Sequence, residues 1–328
     1  MFEIKKILAR ARSKNKTIVF PEAGFSDRTI AAVKFLRKKK ICNVILIGDE
    51  SALALRDKSL VNFNIMNPKT SPLKDKLAAK LYSKRKEKGM TQAEAKKLIL
   101  DPYYFAVMLL EADIADGMVA GAEGSTATVL RPALQLIKTP KKGDVASSTF
   151  IMFGKNKFLK DKTLYLSDCS LILNPTAEQL VTIASQTIET AKLLCEEEMN
   201  VAFLSYSTKS SASGISVAKM AEAAKKFSYP AVVSDGELQL DAALRPEVCA
   251  LKAPSSPIAG NANILIFPNL DSANIGYKSI QMFGGLNAIG PIVQGLKKPV
   301  NDVSRGCSVS DIILVSAITA LQVKEKKK

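Results

Sequence analysis

The chain has 328 residues, 24% charged and 47% hydrophobic, with 47 Lys and Arg against 31 Asp and Glu. These are ordinary globular values that exclude disordered and fibrous classes, and the length suits two domains with ample core. There is no histidine, so a Ser-His-Asp triad, a Cys-His pair, histidine-ligated zinc and an imidazole base are all excluded.

In chain order, residues Met1 to Lys16 alternate basic and apolar residues and are expected to form a short amphipathic helix, without the continuous apolar centre of a signal peptide. Thr17 to Phe20 reads as a strand, about Ser26 to Lys39 as a helix, and Val44 to Gly48 as a second strand. Thr70 to Leu110 is nearly all helix-forming, with Lys88-Gly89 as a stop between helices. Strands are expected again at Asp116 to Val119, Val201 to Leu204, Ala231 to Val233 and Ile264 to Phe267, each flanked by helical patterns. This βαβ alternation predicts an α/β fold with mainly parallel sheets covered by helices. Lys141 to Asp144 is the candidate linker, ahead of a β-rich stretch from Val145 to Leu166. The last apolar run, Ile312 to Val323, is interrupted by Ser316, Thr319 and Gln322 and is too short to span a bilayer.

The net charge of +16 favours anionic partners. The lysines are spread along the chain without an arginine stripe interleaved with aromatics, which disfavours nucleic acid and leaves phosphorylated small molecules, anionic lipid or a plain solvated lysine-rich surface. Five widely spaced cysteines without a CxxC pair point to free thiols in a reducing compartment, and hence to the cytoplasm.

Ligands in such folds bind at the carboxyl ends of strands, and four loops draw attention. Ser205 to Gly214 carries Thr208 and Lys209 into a helix start; it reads either as an anion site or as a serine-rich cap. Asn301 to Asp311 carries Ser304 and Arg305, and Ser308-x-x-Asp311 fits a capping box, so Asp311 is a cap on pattern alone. Gly121 to Arg131 carries Ser125 and Thr126 into a helix holding Arg131, and Arg85 lies on a basic face. Asp235-Gly236-Glu237 with Asp241 reads as an acidic turn after a strand.

Several of these blocks resemble one family. Val300 to Ser308 is similar to the "PVNDLSRGCS" signature of phosphate acetyltransferases, in the phosphate acetyl/butaryl transferase family. Ser125-Thr126 through Arg131-Pro132-Ala133-Leu134-Gln135 to Thr139 resembles their "ST…RPALQIIKT" segment. Asp235 to Gln239, Ser256 to Gly260, Asn274 to Lys278 and Ala288 to Pro291 match further blocks, in order along nearly the whole chain. Three positions depart from the pattern: Met282 replaces an arginine after Gln281, Gly124 replaces a histidine, and Lys209-Ser210-Ser211 replaces Lys-Gly-Ser.

The resemblance implies reversible transfer of an acetyl group between acetyl phosphate and coenzyme A. It implies two α/β domains flanking a cleft, as in isocitrate and isopropylmalate dehydrogenases, at 1–143 plus 292–328 and at 144–291. It implies Asp311 as the base for the thiol, Ser304 as donor to the developing oxyanion and Arg305 as holder of the acyl phosphate. Arg131, Arg85, Thr208, Lys209, Ser125 and Thr126 are the implied substrate-binding residues. No metal or tightly bound cofactor, a homodimer, and no nucleic-acid or membrane partner complete the expectation. The sister activity on butyryl phosphate, and a non-catalytic paralogue that binds coenzyme A, stay open on sequence.

Overall fold

The computed structural model describes residues 2–141, 144–155 and 162–325. Lys142 and Gly143 of the expected linker, part of the β-rich stretch and the last three lysines lie outside the described residues. The strands are β1 Thr17–Phe20, β2 Asn43–Ile47, β3 Asn64–Met66, β4 Gly117–Ala120, β5 Ser147–Phe153 and β6 Leu164–Ser167. They continue with β7 Asn200–Leu204, β8 Val233–Leu238, β9 Ile264–Ile266, β10 Asn287–Gln294 and β11 Val300–Asp302. The chain forms two compact units, Ile4–Pro140 with Leu296–Lys328, and Met1–Glu3 with Lys141–Gly295.

The first unit holds a five-stranded sheet in the order β11-β4-β1-β2-β3, parallel throughout. Ile18, Val19 and Phe20 are consecutive and fully buried, as are all of β4 and β11, so both faces of the central strands are covered. The Val309–Gln322 helix buries Ile312, Leu314, Val315, Ile318 and Leu321 in this unit. The expected helical stretch is a series: Lys74–Arg85, Gln92–Leu98 and Pro102–Glu111. Gly89 ends its first part at φ +86°, in the left-handed region that glycine enters without steric cost.

The second unit holds a six-stranded mixed sheet in the order β10-β5-β6-β9-β7-β8. β5 pairs antiparallel with both β10 and β6, while β6, β9, β7 and β8 run parallel. Its core includes Phe150 stacked on Tyr277 at 3.8 Å between ring centroids, with Leu166, Leu265 and Leu238.

Two sequence expectations are corrected. Asp235-Gly236-Glu237 is not a turn; it lies within β8, the edge strand beside β7. Gly236 is required there because a Cβ would come within 2.7 Å of Phe203 Cβ, so a residue that looks like turn chemistry is a close strand approach. Val300–Asp302 is likewise the short strand β11, formed by pairing with β4 rather than by any apolar run.

Candidate active site

β11, β4 and β1 are neighbours, so the loops after them emerge side by side at one end of the sheet. The loop after β1 carries Glu22, the loop after β4 is Gly121–Gly124, and the loop after β11 carries Ser304 and Arg305. Glu22 is 1% exposed. Its carboxylate accepts hydrogen bonds from the amides of Gly121 (2.9 Å), Ala122 (2.8 Å), Glu123 (3.3 Å) and Gly124 (2.9 Å), and from the Tyr103 hydroxyl (2.9 Å). The turn is therefore an anion nest whose occupant is an internal carboxylate.

Asp302, the last residue of β11, is also 1% exposed, and its Oδ1 has no hydrogen-bond partner among the described residues. Burial pushes its carboxyl up to about 7; Thr126 hydrogen-bonding and the Arg305 charge pull it down, and Glu22 adds to the rise. Gly121 has φ +102°, and a Cβ there would lie 2.1 Å from Asp302 Oδ1 and 2.4 Å from the Val303 carbonyl oxygen. Only glycine lets the two loops close on each other.

Arg28, in the Asp27–Lys38 helix, joins the same loops. It donates to the carbonyl oxygens of Arg305 (2.7 Å), Cys307 (2.9 Å) and Ala122, and to Glu123 Oε1 (3.0 Å). With that backbone held, Ser304 and Arg305 are exposed, and Arg305 forms no ion pair among the described residues. Ser304 Oγ accepts from the Gly306 amide at 3.2 Å. Cys307 is buried, and burial pushes its thiol up to about 11, so it is not a thiolate at neutral pH.

Asp311 is the third residue of the Val309–Gln322 helix. Its Oδ2 accepts from the Ser308 amide at 2.8 Å, and its own amide donates to Ser308 Oγ at 3.2 Å, the capping box expected from the pattern. Ser125 caps the Thr126–Leu136 helix in the ordinary way, accepting from the Thr128 amide at 3.2 Å. Arg131 is exposed on that helix, and Arg85 ends the Lys74–Arg85 helix. Both cations act on Tyr104: burial raises its hydroxyl above the ordinary range, and Arg131 and Arg85 oppose the rise. Arg85 also borders a cavity of about 540 Å³ with Lys88, Met90, Glu94, Lys97 and Asp101, and its Nε is buried without a partner among the described residues.

In the second unit, the Ser205–Gly214 loop follows β7 and is turned onto β8. Glu237, 3% exposed, accepts from Ser207 Oγ (3.0 Å) and the Ser210 amide (2.6 Å). Thr208 Oγ1 accepts from the Gln239 amide at 2.9 Å, and Lys209 is ion-paired with Asp235. Lys209 and Ser210 both have positive φ. The acidic residues misread as a turn are the partners of this loop.

The family model described as phosphate acetyl/butaryl transferase matches residues 2–320. The chain belongs to the phosphate acetyl/butaryl transferase family. The phosphate acetyltransferase of Thermoanaerobacterium thermosaccharolyticum is 45% identical over 326 residues, covering 98% of this chain and 99% of that one. That of Clostridium acetobutylicum is 44% identical over 329 residues, covering 98% of each. The crystal structure of a phosphotransacetylase from Streptococcus pyogenes superposes with TM-score 0.90 at 41% identity, over 98% of this chain and 99% of that one.

In this member of the phosphate acetyl/butaryl transferase family, Ser304, Arg305, Asp311, Ser125, Thr126, Arg131 and Arg85 belong to one unit, and Thr208 and Lys209 to the other. Sequence reasoning missed Glu22, Arg28, Tyr103 and Asp302, which build the loops around Ser304. Asp302 stood inside the quoted signature and could have been singled out as an acid beside Ser304. Nothing local marks Glu22, Arg28 or Tyr103. Among the described residues, no cluster of three or more Cys, Asp or Glu side chains could hold a metal ion, and no helix is long and apolar enough to cross a membrane.

Proposed function

We propose that this chain is a phosphate acetyltransferase that moves an acetyl group reversibly between acetyl phosphate and coenzyme A. The observation that carries this is the exposed Ser304-Arg305 pair on a loop braced by Arg28 and Gly121, beside Asp311 at a helix start, in a chain 45% identical to a phosphate acetyltransferase.

Asp311 accepts the proton of the coenzyme A thiol. One carboxylate oxygen, Oδ2, is engaged by Ser308, and Oδ1 makes no hydrogen bond among the described residues, so capping and base roles are compatible. The thiolate attacks the carbonyl carbon of acetyl phosphate, Ser304 donates to the oxyanion that forms, and Arg305 holds the phosphate. The carbon–oxygen bond to phosphate then breaks, leaving acetyl-coenzyme A. An ordinary thiol near ~8.5 and an ordinary aspartate near ~3.9 make full proton transfer about 6 kcal/mol uphill. Arg305 and the amino end of the Val309–Gln322 helix favour the thiolate and reduce that cost. A positioned oxyanion donor contributes ~3–4 kcal/mol in acyl transfer.

Arg131, Arg85, Ser125, Thr126, Thr208 and Lys209 bind substrate phosphates in this reading. The charges of Arg85 and Arg131, both felt at Tyr104, and the lysines at the Arg85 cavity support it for the first unit. The finer fold is of the isocitrate/isopropylmalate dehydrogenase type, with domains at 1–143 plus 292–328 and at 144–291. The return of Leu296–Lys328 to the first unit supports that division. The enzyme is a cytoplasmic homodimer; exposed Ile275, Met282 and Phe283 on the Leu270–Gly284 helix offer apolar surface to a second copy. Coenzyme A is a substrate, and no bound cofactor or metal takes part.

The test mixes purified protein with coenzyme A and acetyl, propionyl or butyryl phosphate and follows thioester formation. Fastest turnover on acetyl phosphate is expected. A preference for butyryl phosphate would make the chain a butyryltransferase, and silence from folded protein that still binds coenzyme A would make it a non-catalytic binder.

A further inference from the structure

Gly124 closes the nest after β4, and the space its side chain lacks is filled by another element. A Cβ on Gly124 would lie 2.5 Å from the Tyr103 hydroxyl oxygen, 3.1 Å from Tyr103 Cζ and 3.0 Å from Glu22 Oε1. Gly124 has no positive φ, so backbone geometry does not require glycine there; the tyrosine does. Tyr103 stands on the Pro102–Glu111 helix at 6% exposure, and its hydroxyl donates to Glu22 at 2.9 Å. Burial raises the hydroxyl well above its ordinary range, with Glu22 adding to the effect, so it stays a neutral donor.

We propose that Tyr103 is a positioning residue for acyl transfer and that Tyr103 and Gly124 act as a coupled pair. A side chain on residue 124 and the Tyr103 hydroxyl compete for one place beside Glu22, and in this chain the tyrosine supplies the polar group. The effect passes from Tyr103 to Glu22, from Glu22 to the Gly121–Gly124 amides, and from Gly121 to Asp302 and Val303. Ser304 and Arg305 follow directly. Removing the hydroxyl takes a side-chain donor from a buried carboxylate and loosens the turn against which the Ser304 loop closes.

The activity readout rests on the proposed acetyl transfer, so wild-type turnover is measured first. In the full chain, Tyr103→Phe keeps the ring and removes only the oxygen. It should lower kcat about tenfold, or about 1.4 kcal/mol, while KM for coenzyme A stays within about twofold. Gly124→His alone should lose more activity and melt at lower temperature, because imidazole and hydroxyl cannot share the space. Tyr103→Ala/Gly124→His should recover at least about tenfold over Gly124→His, since the imidazole then fills the vacated place and can donate to Glu22. If Gly124→His does not fold, recovery of a folded, active double variant carries the same meaning. Unchanged kcat in Tyr103→Phe, or a double variant no better than the product of its own singles, Tyr103→Ala and Gly124→His, would overturn the proposal. Absent wild-type turnover would count against acetyl transfer instead, and melting temperatures of the wild type, Tyr103→Ala, Gly124→His and the double variant would still decide the coupling.

Discussion

Asp302 shows how one side chain can acquire chemistry that its sequence neighbourhood does not announce. In the chain it is the acid of a short polar run; in the fold it is buried, has an orphaned Oδ1, and is pushed from 3.8 up to about 7. The folded protein therefore holds a proton on Asp302 that the unfolded chain releases near pH 4. Between about pH 4 and pH 7 the folded state binds more protons, so this group subtracts stability as pH rises through that window and nothing further above it. Asp302→Asn, which cannot ionise, should gain stability over the wild type by an amount that grows from about pH 4 and levels near pH 7, on the order of 4 kcal/mol. Urea unfolding of both proteins at pH 5 and pH 8 measures it. A difference between them that does not change with pH would show that Asp302 ionises normally.

At the scale of elements, the Val309–Gln322 helix separates two functions that meet in Asp311. Capping depends on the Ser308 hydroxyl and on an acceptor at residue 311; catalysis in the proposed mechanism depends on the carboxylate as a base. Ser308→Ala should cost about 1 kcal/mol of stability and leave turnover nearly intact. Asp311→Asn keeps an acceptor for the Ser308 amide. It should lose well under 1 kcal/mol from the helix-dipole interaction, but about a hundredfold or more in kcat with KM for coenzyme A little changed. Thermal melts and steady-state kinetics on both variants check this. Parallel losses of stability and turnover would reduce Asp311 to a cap. The elements also differ in how visible they were. Thr17–Phe20 and Asn200–Leu204 are mainly apolar runs, and the Ser308 capping box spans four residues, so local pattern sufficed. Val233–Leu238 was misread because its Asp-Gly-Glu centre is a strand only by pairing with β7, with Lys209 and Ser207 supplying partners from another loop.

At the scale of the molecule, the first unit is completed by the end of the chain. Leu296–Lys328 brings back the edge strand β11 and a helix that buries Ile312, Leu314, Val315, Ile318 and Leu321. At about 1.5–3 kcal/mol for each buried side chain of this size, those five contribute on the order of 10 kcal/mol. That rivals the whole stability of a typical domain, about 5–15 kcal/mol. A chain ending at Gly295 should therefore lose the cooperative melt of this unit and much of its solubility, read by circular dichroism and by partition on centrifugation. Melting unchanged from the full chain would mean that the unit stands without its returning segment.

The sequence by itself determined the α/β class, the exclusion of histidine chemistry, the capping box and the family, because each is written in contiguous residues: apolar periods, a missing residue type, a three-residue spacing, an unbroken signature. It also brought Ser304 and Arg305 forward through that signature, and Asp311 through the family resemblance. Only the tertiary structure decided that Glu22 fills the nest after β4, that Arg28 braces the Ser304 loop, that Gly124 makes room for Tyr103, and that Asp302 is buried with its Oδ1 unpartnered among the described residues. Those facts join residues from about twenty to nearly three hundred positions apart. Burial and hydrogen bonding act through space, and no local pattern records which distant group will arrive to share the same few ångströms.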